Sequence, residues 1–270
     1  MKRIVILTGD ELRHRYFRKK MSNDQRFKVV GSFCEGIEKS LRNRTYENSK
    51  SSDLEKQHVE ARGQAENDFF SEVVEYLPDY SSPEKIAKGA INDQEFVDRI
   101  INLDPDLIVC YGSSLIRSEL LEIFSGKFLN VHLGLSPYYR GSGTNVWPLI
   151  NKQPAMVGAT FMYIDSGVDT GEIIHQITPK ICLGDSAHSI GNRLIRDMTS
   201  CYAEIVACFD SLTSERQPDA DGLLYKMVDF DSGSCESLYE NFRAGMIERY
   251  LQDSKKSSQP YVVCNKGLQQ

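Results

Sequence analysis

The chain has 270 residues, 40% hydrophobic and 26% charged, with a formal net charge of −6 and a single Trp. That length buries a substantial core and allows one or two domains. The acidic balance excludes a broad polyanion-binding face as the main feature; only residues 13–20 resemble a basic stripe, so no nucleic-acid partner is expected.

Seven cysteines are odd in number, scattered, and free of CxxC or other metal-ligand spacing. This fits reduced, packed thiols in a cytosolic protein better than a disulfide framework, and no metal is expected. Met1-Lys2-Arg3 runs straight into Ile4-Val5-Ile6-Leu7, too short for a signal segment, and no run reaches membrane-spanning length. The expectation is a cytoplasmic protein with no membrane partner.

In chain order, residues 3–9 read as a buried parallel strand ending at Gly9, and residues 11–21 as a helix with Asp10 at its N-cap. Residues 27–33 form a second strand, completing a βαβ opening. Residues 42–53, rich in Asn, Ser, Lys and Arg, predict a loop or insertion. Residues 54–76 return to helix, with His58, Arg62 and Glu66 along one face. That face suits either a cleft wall or a solvated surface with ordinary salt links; the weak energetics of surface pairs favours the second.

Residues 95–103 form an amphipathic helix, 107–111 a buried strand with the turn Gly112-Ser113-Ser114, and 116–124 another helix. The strand at residues 128–132 follows and breaks at Gly134, Ser136 and Pro137. Repeated βα units predict a doubly wound, mostly parallel sheet whose ligands sit at the strands' carboxyl ends, where Gly9, Gly112 and Gly134 fall. Residues 157–164 and 172–181 read as strands joined by a glycine-rich connector, 165–171. Residues 186–212 form a long helix capped by Asp185. The tail has a polar stretch at 213–221, a strand-like 223–225 and one amphipathic helix at 236–251. The last dozen residues read as frayed or extraneous to the fold.

Asn130 and His132 sit two apart on a strand, so both side chains share a face. Asp169 lies between Gly167 and Gly171, which let a carboxylate be held close to a ligand. Singly, each has an ordinary structural explanation: a turn Asn, a core His, a loop Asp.

Together, Asn130-Val131-His132, then Ser136-Pro137-Tyr138-Tyr139-Arg140-Gly141, then Val168-Asp169-Thr170-Gly171-Glu172-Ile173-Ile174 resemble the signature of the folate-dependent formyltransferases over residues 3–210. These enzymes use 10-formyltetrahydrofolate and include glycinamide ribonucleotide transformylase, methionyl-tRNA formyltransferase and nucleotide-sugar N-formyltransferases. The resemblance implies a Rossmann-like α/β fold in a catalytic domain over 1–210, with 211–270 as a short helical extension and not an independent domain. It places the catalytic Asn, His and Asp on Asn130, His132 and Asp169. It places the pterin between Gly112, Ser113, Ser114, Leu115 and Ile116 on one side and Asp165, Gly167, Val168 and Gly171 on the other. One departure stands out: the family often reads His-Pro-Ser-Leu-Leu-Pro where this chain reads His132-Leu133-Gly134-Leu135-Ser136-Pro137.

For the acceptor, residues 8–15 lack the glycine/serine-rich phosphate loop of the purine enzyme. The sixty-residue tail is shorter than the β-rich domain of the methionyl-tRNA enzyme, and the net charge is wrong for tRNA. The expected acceptor is therefore an aminosugar linked to UDP or dTDP, formylated by direct amine attack. Arg13, His14 and Arg15 are candidates for its diphosphate or, equally, a basic solvated helix face; Thr8 and Gly9 are further substrate-binding candidates, and Ser136, Pro137, Tyr138, Tyr139 and Arg140 candidates for the sugar side. Trp147 is either a packing face for the acceptor or, more in keeping with aromatics, core. A homodimer is compatible with the apolar face of the last helix. Two other classes fit the sequence less well. A non-catalytic binding module is disfavoured by the intact Asn130, His132 and Asp169, and a dinucleotide-binding dehydrogenase by the missing GxGxxG after Leu7.

Overall fold

The computed structural model describes residues 1–38, 40–218, 222–253 and 260–268. In chain order the elements are β1 (Lys2–Gly9), α1 (Leu12–Ser22), β2 (Phe27–Glu35), α2 (Leu41–Glu47), α3 (Asp53–Tyr76) and β3 (Glu84–Ile86). Next come α4 (Gln94–Leu103), β4 (Leu107–Tyr111), α5 (Ser118–Ile123), β5 (Phe128–His132), β6 (Tyr139–Gly141) and α6 (Trp147–Ile150). The rest are β7 (Ala159–Tyr163), β8 (Ile173–Ile177), α7 (Ala187–Cys208), β9 (Leu223–Tyr225), α8 (Ser232–Arg243) and α9 (Met246–Asp253).

Seven strands form one sheet in the order β3-β2-β1-β4-β5-β7-β8. Pairs from β3 to β5 are parallel, whereas β5–β7 and β7–β8 are antiparallel. The order reverses between β1 and β4, the kind of switch point where α/β sheets open a crevice. β1 shows how the sheet is buried on both sides. Ile4 and Ile6 join the core beneath α1 and α7, with Phe17, Leu194 and Tyr202, while Val5 and Leu7 join Val97, Ile100 and Leu120 beneath α4 and α5. A run without polar alternation is what such a doubly covered strand requires.

Several expectations change. Within 42–53, the expected loop contains α2, capped by the Ser40 side chain, which accepts from Asn43 N–H at 3.2 Å. The three-residue β3 is too short to leave a pattern in the sequence. Helix α3 begins in a reciprocal cap, with Ser52 N–H donating to Glu55 Oε2 at 2.8 Å and Glu55 N–H to Ser52 Oγ at 3.2 Å. The N-caps of α1 and α7 are Glu11 and Ser186 instead of Asp10 and Asp185. Asp10 pairs with Arg15 and Arg18, and Asp185 with Arg193.

The single expected tail helix is two, α8 and α9, broken at Gly245, whose φ of +77° leaves the helical region. α8 buries Cys235, Leu238 and Asn241 against α3 and α6. The polar stretch 213–221 has its last three residues outside the described ones. Among the last dozen, residues 260–268 are docked and not frayed: Gln176 N–H donates to the Val263 carbonyl at 2.8 Å and Asn265 N–H to His175 Nδ1 at 3.0 Å. Among the described residues, no helix is long and apolar enough to cross a membrane.

Candidate active site at the strand ends

A cleft of about 750 Å³ opens over the carboxyl ends of β4 and β5. Asn130, His132 and Asp169 all line it. Strand β5 presents Asn130 and His132 on one face because they are two residues apart. Asp169 arrives from the loop that joins antiparallel β7 and β8, 37 positions later in the chain, with a left-handed φ of +54°. Its loop is closed by Asp165, whose Oδ1 accepts from Gly167 N–H at 3.0 Å and Thr170 Oγ1–H at 2.7 Å. Gln217 ties it from outside, donating to the carbonyls of Asp169 and Gly171 at 2.8 and 2.9 Å.

Asp169 Oδ2 lies 3.2 Å from His132 Nδ1 and accepts from Gly141 N–H at 2.9 Å. His132 Nε2 lies 2.9 Å from the Tyr139 carbonyl and 3.2 Å from Thr144 Oγ1. The Thr144 hydroxyl already donates to the Leu133 carbonyl at 2.8 Å, so it offers His132 a lone pair. Both imidazole nitrogens thus face protein acceptors, so each N–H the ring carries is engaged by the protein. Asn130 is different. Its amide has no protein hydrogen-bond partner among the described residues, and neither has Asp169 Oδ1.

Gly134 passes close beside the groups around His132. A Cβ there would lie 2.6 Å from the Tyr139 carbonyl and 2.8 Å from Thr144 Cβ, the two groups that hold His132. The chain passes this point only without a side chain.

One end of the cleft is a slot between two loops. Gly112, Ser113, Ser114, Leu115 and Ile116 form one wall, and Asp165, Gly167 and Val168 the other, with Met162 and Ile164 behind; Gly171 lies outside, against Tyr163. Buried Glu35 at the end of β2 fixes the first wall, accepting from Gly89 N–H at 2.9 Å, Ser114 N–H at 2.5 Å and Lys88 Nζ at 3.0 Å. Gly112 has φ +70°, and a Cβ on it would run into His14. Apolar faces with backbone edges suit a flat heteroaromatic ring, so these residues fit a pterin. Glu35→Gln is therefore expected to raise the KM for a folate donor by roughly tenfold, since a charge-assisted contact to the wall is lost. Steady-state kinetics with the folate varied checks this, and an unchanged KM contradicts it.

The other end contains residues only partly foreseen. His58, Arg62 and Glu66 of α3 line it, with His58 and Glu66 buried, so this face is a cleft wall and not a solvated surface. What covers it, α7 and the α8 region, lies more than a hundred residues away in sequence. Leu224 and Tyr225 of the tail also line it; His188 and Asn192 of α7, Thr144, Lys226, Met227 and Phe230 were not foreseen, and the four-residue spacing of His188 and Asn192 was the available signal.

Several expected acceptor contacts are placed elsewhere. Thr8 and Gly9 face Arg18, which donates to Thr8 Oγ1 at 2.9 Å and to the Gly9 carbonyl at 2.8 Å. Arg15 pairs with Asp10 outside the cleft. His14 does line it, but as a buried wedge accepting from Glu11 N–H at 3.3 Å, and burial holds its pKa well below the usual value, so it brings no cation to a diphosphate. Ser136, Pro137, Tyr138, Tyr139 and Arg140 do not line the cleft. Ser136, Pro137 and Tyr139 turn into the core, where Tyr139 OH donates to Gln153 at 2.6 Å. The wall instead runs from Gly141 to Trp147, with Trp147 buried and stacked on Tyr225 at 4.1 Å. Arg13 remains at the cleft, paired with Glu66 at 2.9 Å and with Glu11.

Burial also depresses His58, to about 3, and His188, to about 4, from 6.5. The unfolded chain then binds protons that the folded chain refuses, so stability falls as pH drops below about 6.5 toward 4. Each histidine is expected to contribute a slope of roughly 1 kcal/mol per pH unit in that window. The carboxylates held low beside them, Glu66 and Asp185, lose their contribution only at more acid pH. Urea titrations near pH 7 and pH 5 check this; a His58→Gln, His188→Gln variant should show a flatter dependence, and an equal slope contradicts it.

The sheet thus brings an amide and an imidazole–carboxylate pair together in one cleft at its strand ends. The sequence profile described as formyl transferase matches residues 1–206, and the chain belongs to that family. Among relatives, it is 42% identical to the methionyl-tRNA formyltransferase of Clostridioides difficile over 83 residues, 30% of this chain and 26% of that one. The chain spans about half or less of the length of such curated relatives. Among solved structures, a sugar N-formyltransferase from a Shewanella species matches with a TM-score of 0.57 at 18% identity, covering 85% of this chain and 78% of that one. Glycinamide ribonucleotide transformylase 1 of Symbiobacterium toebii matches with 0.53 at 18% identity, covering 78% and 88%. At that identity the likeness establishes the fold: α/β with a mixed, mostly parallel seven-stranded sheet.

Proposed function

We propose that this chain transfers the formyl group of 10-formyltetrahydrofolate to a primary amine by direct attack, without a protein nucleophile. The observation that carries the reading is the convergence of Asn130, His132 and Asp169 beside the slot of residues 112–116 and 165–168. As the amine nitrogen bonds to the formyl carbon, negative charge develops on the formyl oxygen, and the unpartnered Asn130 amide is the donor available to it. His132 has no ring nitrogen free for that oxygen, since one faces the Tyr139 carbonyl and the other Asp169. Its role becomes to orient and balance Asp169. The free Asp169 Oδ1 accepts the proton released by the amine, directly or through water, while the bond from the formyl carbon to the folate nitrogen breaks and that nitrogen gains a proton.

Two acceptors are supported by different observations. The sequence relative named above is a methionyl-tRNA formyltransferase, which makes methionyl-tRNA the first acceptor to test. A nucleotide-linked aminosugar is favoured by the acidic balance and by the enclosure of the acceptor end under Trp147, Tyr225 and Phe230. Incubation with 10-formyltetrahydrofolate and each acceptor, read by mass, separates them. A formyl adduct on methionyl-tRNA alone removes the aminosugar reading, and an adduct on the aminosugar alone removes the tRNA reading. No adduct on these or on glycinamide ribonucleotide contradicts the function.

A further inference from the structure

We propose that the acceptor end of the cleft holds an uncharged recognition subsite, built from His188 and Asn192 of α7 with His58 of α3, that takes a hydroxyl-bearing sugar ring. This deepens the proposed function and rests on it for the identification of this end as the acceptor's.

Two polar atoms here lack partners. Asn192 is 5% exposed, and its Nδ2 is buried without a hydrogen bond; His188 Nε2 is likewise buried and unpartnered. Both residues line the cleft, and their four-residue spacing puts them on the same side of α7. Buried polar atoms are ordinarily paired, so two orphans on one cavity wall mark the place of a missing partner. The His58 ring lies 4.8 Å from the His188 ring, and its Nδ1 lies 3.2 Å from Tyr239 OH.

The charges around this wall cancel. Arg13 and Arg62 approach Glu66 at 2.9 and 3.2 Å, and both guanidiniums also face Glu11, so two cations meet two carboxylates. Burial keeps both imidazoles neutral. On α3 and α7 no net positive charge is left over to hold a phosphate; the lysine that lines this end, Lys226, comes from the segment after β9.

Aromatic rings continue from His58: its ring lies 5.1 Å from Phe230, Phe230 lies 6.3 Å from Trp147, and Trp147 stacks on Tyr225. Neutral hydrogen-bonding atoms and aromatic rings in one cleft match a sugar, whose hydroxyls and C–H groups present those two characters. A thioether side chain would leave Asn192 and His188 unpaired.

The test is NMR of the histidine-labelled full chain, with the His58 and His188 imidazole signals assigned from single substitutions. The probes are the methyl glycoside of an N-acetylated aminosugar, inorganic pyrophosphate and methioninamide. The glycoside should move both signals saturably, and Asn192→Ala and, independently, His188→Ala should weaken its binding by about tenfold or more. Movement by pyrophosphate or methioninamide in its place, no movement at all, or full affinity in both folded variants overturns the subsite. Consumption of 10-formyltetrahydrofolate is read separately. Saturable glycoside binding without turnover of any amine contradicts the formyl-transfer reading and spares the subsite; turnover without the shifts contradicts the subsite alone.

Discussion

Asp169→Asn is expected to lower the rate of formyl transfer by about 10²–10⁴-fold, the usual contribution of a positioned general base. The substitution keeps the acceptor for Gly141 N–H, which lies 2.9 Å from Oδ2, so the loop retains its closure. It removes the charge facing His132 Nδ1 at 3.2 Å and the unengaged oxygen proposed to take the amine proton. Single-turnover measurement with saturating folate isolates the chemical step. A loss confined to KM would assign Asp169 to acceptor binding, and a loss below tenfold would contradict its role as base.

The second large effect belongs to Asn130→Ala, with a decrease in kcat of about 10²–10³-fold, the scale of deleting one preorganised donor to a developing oxyanion. Asn130 makes no side-chain hydrogen bond to the protein among the described residues, so its removal breaks no structural contact. The thermal midpoint should stay near that of the unaltered chain. Asn130→Asp should be no better than alanine, because a carboxylate offers the oxyanion no donor. A full rate in either variant would remove the amide from the mechanism.

These two side chains also show what could be read in advance. The uninterrupted apolar runs of β1 and β4 announce a sheet covered on both faces, and the two-residue spacing of Asn130 and His132 announces a shared face. Asp169 was legible because glycines mark its loop. The acceptor side was not. Residues Ser136 to Arg140 follow the strand end directly, yet the backbone turns them away from the cleft, and the wall begins at Gly141. Closeness in sequence to a strand end gives no direction for a side chain.

His58, Arg62 and Glu66 look like a solvated helix face until α7 and α8 are laid over them, a packing no local pattern encodes. The break at Gly245 has the same character: the apolar periodicity crosses it, and only the positive φ reveals two helices. His14 is the reverse case. A histidine beside two arginines suggests a cationic site, whereas its wedge between the ends of β1 and β4 keeps it neutral.

The central claim is that this cleft joins a formyl group to an amine. Its most direct measurement mixes the full chain with formyl-labelled 10-formyltetrahydrofolate and either methionyl-tRNA or a nucleotide-linked aminosugar, and follows the label by mass. The expected result is one labelled formyl group on the amine of one acceptor, with tetrahydrofolate released in equal amount and no label on the protein. Label retained on a protein side chain, or folate consumed with no amine adduct, would contradict it.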